Sequence, residues 1–249
     1  METTAIARSM RGSIGMLAMD WLLAPSTTIT AAERGMPPGN AGYAIGRLGV
    51  LGECPIDNVV GAAFFWEPRT MHAAAAEGRG VMAPMEGAAI YRDICEAWGE
   101  RVLEGFDGSD RLGELCERVV GEASPLGAPT FVGWRDQPLP AAGNGRTFQL
   151  CQTMRELRFG RHTVAVQASG MSPLESILAG PAGEWNAEFF GWPKPYPDVT
   201  DLGDRRNEIE DMTDQLHGPD FEVLSPDERA ELRVLAKDAR AHAKAKETS

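Results

Sequence analysis

Apolar residues recur through this chain at the spacing of an α-helix, and that periodicity limits the fold more than any other feature. From Ser109 to Glu122, Leu112, Leu115, Cys116, Val119 and Val120 fall at i, i+3, i+4, i+7 and i+8, one apolar stripe with Ser109 placed to cap it. Between Met82 and Phe106, Ile90, Ile94, Trp98 and Val102 repeat every four residues. The stretch Pro55 to Trp66 is apolar on nearly every side and reads as a short, fully buried helix. Thr147 to Phe159 forms a further helix that Gly160 bends or ends before Arg161 to Ser169. Two short helices follow, Pro173 to Ala179 and Gly183 to Phe190. Pro193, Pro195 and Pro197 then make a stiff connector. Beyond it, Leu202, Ile209 and Leu216 mark a seven-residue period through a long helix. Ser225-Pro-Asp-Glu228 is a capping box that opens the last helix, with Leu232, Leu235 and Ala239 facing inward. No segment shows the sustained alternation that a sheet requires, and a hairpin at Lys194 to Val199 is the most β-structure the pattern allows. The fold class is all-α. Pro125, Pro129, Pro138 and Pro140 cluster where two units would meet, a helical domain at 1–135 and a second domain at 136–249.

Charge and side-chain chemistry narrow the function. The 249 residues carry a formal net charge of -12, so the phosphate neutralisation that drives nucleic-acid binding is in short supply. Cys54, Cys95, Cys116 and Cys151 lie far apart and read as reduced core thiols, neither a disulfide framework nor a zinc ribbon. No run reaches membrane-spanning length and no signal-peptide core is seen, which points to the cytoplasm. The four histidines lack metal-ligand spacing, so no metal site is expected, and no cofactor is identified. His72 reads as a surface helix start rather than as part of a pocket with Trp66 and Arg69, and His217 and His242 receive no role. Gly42, Gly46, Gly49 and Gly52 have neither a preceding strand nor a following GK[ST], so close helix packing explains them better than a phosphate loop. The methionines Met10, Met16 and Met19 read as core filler.

Four stretches in order carry a likeness to a known family. They are Gly42-Tyr-Ala-Ile-Gly-Arg-Leu-Gly-Val-Leu-Gly52 with Ala63-Phe-Phe-Trp66, then Arg155-Glu-Leu-Arg-Phe-Gly-Arg-His162, then Gly183-Glu-Trp185, then Val199-Thr-Asp-Leu-Gly with Arg206, Ile209, Glu210, Thr213 and Asp214 behind it. The chain resembles the SalK-like family of actinobacterial proteins, catalogued as helix-turn-helix. It departs from the family signature at Leu157, where the family has His, and at Arg161, where the family has Gly. The resemblance implies a degenerate winged-helix-like C-terminal half packed on the helical N-terminal half, with Gly183 opening the recognition helix. Relatives of that fold dimerise through terminal helices, so Val199 to His217 and Ser225 to Lys246 are expected to form a homodimer interface. That recognition helix would present Glu184 and Glu188 and no cation, and Asp198, Asp201, Asp204, Glu208, Glu210, Asp211 and Asp214 follow it. On this balance DNA is not an expected partner.

Against the acidic background one cationic group stands out. Arg155, Arg158 and His162 lie at i, i+3 and i+7 and share one helical face if the helix continues through Gly160. Two guanidiniums can hold a carboxylate or phosphate, and an imidazole can carry a proton near neutral pH. The expectation is a small-molecule-binding protein of bacterial specialised metabolism, and an enzyme if His162 transfers a proton. In that reading His162 and Glu156 are the catalytic candidates, with Glu156 holding the imidazole or one Arg. Arg155 and Arg158 orient an acidic group, and Phe64, Phe65, Trp66 and Trp134 form the apolar wall. One competing reading is a ligand-responsive transcriptional regulator. Another is an interaction protein in which the cluster merely ties its helix to acids such as Glu210 and Asp214.

Overall fold

A computed structural model describes residues 1–247, and among them every regular element is helical, with no strand. Proline opens many of the helices, because its fixed φ suits a first turn whose N–H has no partner in any case. This start is used by α3 (Pro25–Glu33), α6 (Pro68–Val81), α7 (Pro84–Val102), α9 (Pro129–Arg135), α11 (Pro173–Leu178) and α14 (Pro226–Glu247). Side chains complete some of these starts. Ser172 and Glu175 form a capping box on α11, and Ser225 and Glu228 exchange the equivalent bonds on α14. The remaining helices are α1 (Thr3–Gly12), α2 (Ile14–Leu23), α4 (Gly39–Arg47), α5 (Ile56–Ala62), α8 (Ser109–Glu122), α10 (Asn144–Ser169), α12 (Gly183–Phe189) and α13 (Gly203–His217).

The organising element is α10, 26 residues long, which packs against α2, α7, α8, α9 and α13. Gly160 does not end it. A Cβ there would lie 2.5 Å from Cβ of Ala128, so the glycine lets α10 pass close to the start of α9. Helix α10 ends instead at Gly170, whose left-handed φ of 71° favours glycine. Close passage also explains the early glycines. A Cβ on Gly46 would meet the Tyr91 ring at 2.4 Å, and one on Gly49 would meet the Pro84 carbonyl at 2.2 Å.

One apolar cluster runs from Ile6 to Ala243 and includes Trp21, Phe131, Trp134 and Phe148. Cys95, Cys116 and Cys151 are buried in it as free thiols. A smaller cluster gathers Ala165 and Val166 of α10, Ile177 and Leu178 of α11, Ala187 of α12 and Ile209 of α13.

Several local expectations need correction. Ser109 does not cap α8; Gly108 precedes it, and the buried Ser109 hydroxyl has no partner. Helix α5 is amphipathic rather than fully buried, with Asp57, Asn58 and Gly61 exposed. The heptad residue Leu216 is 38% exposed; the inner face of α13 is Ile209, Thr213, Asp214 and His217, a polar set that an apolar period misses. Residues 193–199 form an irregular connector with no β-wing. The inner faces of α13 and α14 are used within the chain, α13 on α10 and α1, and α14 on α1, α2, α7 and α8. No helix among the described residues is long and apolar enough to cross a membrane.

Candidate functional site

Because α10 is continuous, Arg155, Arg158 and His162 do share a face, and they line one cavity of about 190 Å³. The opposite wall comes from the junction of α1 and α2. The chain breaks there at Ser13 (φ -111°, ψ -90°), and Met10, Arg11, Ile14, Met16 and Met19 face α10 across the gap. His217, at the end of α13, joins the wall.

His162 stacks on Phe65 at 5.6 Å and gives its Nδ1 to the Thr213 hydroxyl at 2.9 Å. Thr213 Oγ1 donates its own proton to the Ile209 carbonyl at 2.7 Å, so it can only accept from the imidazole. The proton therefore sits on Nδ1 and Nε2 carries a lone pair. Burial pushes the His162 pKa down to about 3, so the ring is neutral at neutral pH. His217 is likewise buried, with its pKa lowered mainly by burial, and its Nδ1–H donates to Asp220 at 2.9 Å. Asp220 in turn accepts two bonds from Arg161, at 3.0 and 2.7 Å. Arg161 also binds the Leu126 and Ser124 carbonyls, which fixes the 124–128 connector.

Glu156 lies outside the cavity lining and fully buried. It does not hold the imidazole. Its carboxylate accepts from Arg47 at 2.9 and 2.6 Å, from Gln152 at 2.8 Å and from Arg155 at 2.7 Å. Burial opposes its ionisation, but Arg47 and Arg155 outweigh that and hold its pKa below the usual carboxylate range. Arg47 was not singled out by the sequence reading; a lone Arg in the Gly-rich α4 gave no sign that it would meet α10.

A second carboxylate, Glu210 of α13, accepts from Arg158 at 2.7 Å and pairs with Arg11 at 3.1 Å and Arg206 at 2.5 Å. Burial raises its pKa, but His162, protonated only in that acid range, together with Arg158 and Arg206 brings the net value down to about 2. Asp214 pairs with Arg8 at 3.1 Å and lies 3.7 Å from Arg158. The tie to acidic neighbours weighed from sequence is therefore present, and the cavity lies beside it.

The aromatic residues expected in the wall lie elsewhere. Phe65 backs His162, and Trp134 is in the main core, donating to the Arg47 carbonyl at 3.3 Å. Trp66 packs on Tyr43, Phe189 and Phe190 at 5.2–5.6 Å, supporting the end of α12. The pair α11–α12 rests on α10, α13 and Phe65 through the small apolar cluster. Outward, α12 presents Glu184, Glu188 and Trp185, the last 60% exposed and stacked on Phe189 at 5.6 Å. Lys194 lies 3.6 Å from Glu184. Arg69 is exposed on α6 next to Thr70, whose hydroxyl donates to the Gly191 carbonyl at 3.4 Å.

Residues 7–248 match the family model described as a helix-turn-helix family. No curated protein and no solved structure matches the chain. The family match corrects the expectation that DNA is not a partner. The charge count behind that expectation took every acid as free to repel phosphate, whereas Glu210, Asp211 and Asp214 are engaged by Arg8, Arg11, Arg158 and Arg206.

Proposed function

The chain belongs to this helix-turn-helix family, and from that premise we propose that it is a DNA-binding transcriptional regulator whose affinity is set by a small molecule in the α1–α2/α10 cavity. One observation carries the reading: the apolar cluster seating α11 and α12 is built from α10 and α13, the helices that also hold His162, Arg158 and Glu210. A ligand that shifts α13 against α10 shifts the seat of the reading pair. Such coupling requires only that the ligand interact differently with the two arrangements.

In this reading α12 is the recognition helix. Glu184 and Glu188 are acceptors, suited to the N4 amino groups of cytosine rather than to guanine. Arg69 and Lys194 flank the helix as phosphate contacts. The enzyme reading is the weaker, because His162 is held neutral with its Nδ1–H on Thr213, and Glu156, spent on two arginines, lies outside the cavity lining. The resemblance to SalK-like actinobacterial proteins supports a setting in bacterial specialised metabolism, in the cytoplasm.

The test is fluorescence anisotropy at low salt with duplex DNA from upstream of its own coding region. Sequence-specific binding is expected, with Glu188→Ala relaxing specificity by about 1–3 kcal/mol at one base position. Affinity for this DNA no greater than for an unrelated duplex would overturn the proposal.

A further inference from the structure

Two guanidiniums share the single carboxylate of Glu156. Arg47 takes both oxygens from the closed side, and Gln152 shares one of them. Arg155 reaches only Oε1, and its Nη2 ends on Sδ of Met19 at 3.6 Å. A thioether is a weak acceptor, so Arg155 is left short of counter-charge, and it lines the cavity. Burial pulls its pKa below the usual arginine range, with Arg47 adding to the effect and Glu156 opposing it. Beside it, Arg158 gives Nη2 to Glu210 while its Nε is buried without a partner. His162, neutral, adds no charge. Apart from Arg11, paired with Glu210, and His217, bonded to Asp220, the rest of the wall is apolar and includes Met10, Ile14, Met16, Met154 and Phe159, and methionines adapt to irregular shapes.

We infer that this cavity binds a small apolar monocarboxylate, its carboxylate bridging Arg155 and Arg158 in place of the Met19 sulfur and its body lying against the methionines. The inference rests on the effector-site reading above and supplies the ligand's chemistry. A neutral ligand leaves Arg155 with only its share of Glu156 in a desolvated wall, and a cation is repelled. A dianion brings its second charge toward Glu210 and Asp214, which lie close behind Arg158. The volume of about 190 Å³ falls below the roughly 300–1,000 Å³ of pockets for drug-sized molecules, so the ligand is small. An Arg–carboxylate pair in such a site is charge-assisted and can be bidentate.

The experiment is calorimetric titration of the full chain with benzoate and with benzamide, its uncharged match. Benzoate is expected to bind at least tenfold more tightly than benzamide. Arg155→Gln leaves Glu156 paired with Arg47 and is expected to weaken benzoate tenfold or more, while Met19→Leu retains binding. Equal affinity for the two probes, no benzoate binding at millimolar concentration, or undiminished binding in folded Arg155→Gln would overturn the inference. The contrast between probes on the unaltered chain stands even if a variant fails to fold. DNA takes no part in the titration, so its outcome is separate from that of the regulator reading.

Discussion

At the scale of single residues, Glu156 does the most to fix the interior, because a buried carboxylate between two guanidiniums cannot be removed without leaving charge uncompensated. Glu156→Gln is expected to destabilise the chain by about 3–5 kcal/mol in urea unfolding, the range for breaking one partner of a buried pair. Arg155→Gln should cost far less, since Arg47 stays paired. His162 gives a pH signature. Its folded pKa of about 3 lies below the unfolded value of about 6.5, so only the unfolded chain takes up the proton between them. Stability should fall as pH drops below about 6.5, by about 1.4 kcal/mol per unit for this group, with His217 acting in the same direction. His162→Gln should remove one proton's share of that slope, and an unchanged slope would contradict the assignment. Positions 155, 158 and 162 were legible because one helix carries them. Glu210 and Asp214 were legible as acids for that cluster to pair with, whereas Arg11, Arg47, Thr213 and His217 were not, because each comes from a different or distant element and only tertiary packing brings it to α10.

At the scale of elements, α10 shows why periodicity succeeds in placing helices and fails at their interiors. A helix contacted on most sides buries Gln149, Gln152, Thr153, Glu156, Arg161 and His162 along with its apolar residues, so it has no clean apolar stripe to read. Gly160 reads from sequence as a bend or an end of the helix, whereas the structure uses its missing side chain. Gly160→Ala should therefore destabilise by about 1–3 kcal/mol through overpacking on Ala128, despite a helix-propensity gain of about 1 kcal/mol. Gly121 of α8 is the control. A Cβ there meets nothing within 4 Å, and Gly121→Ala should stabilise by about 0.5–1 kcal/mol in the same assay. The capping box of α14 was legible because its signal lies within four residues.

At the scale of the whole molecule, net charge misled where fold class did not. The all-α architecture follows from local patterns summed along the chain, but a charge of -12 says nothing of where those charges are paired. Three of the acids after α12, Glu210, Asp211 and Asp214, are bound to arginines of α1, α10 and α13, so these ion pairs belong to the proposed link between cavity and reading pair rather than to a repulsive surface. DNA affinity by anisotropy with and without saturating benzoate, for the unaltered chain and for Arg155→Gln, measures that link most directly. The expected result is a benzoate-dependent change of roughly fivefold or more in the unaltered chain, the lower end of ordinary allosteric coupling, and none in the variant. DNA affinity that benzoate leaves unchanged in the unaltered chain would contradict it.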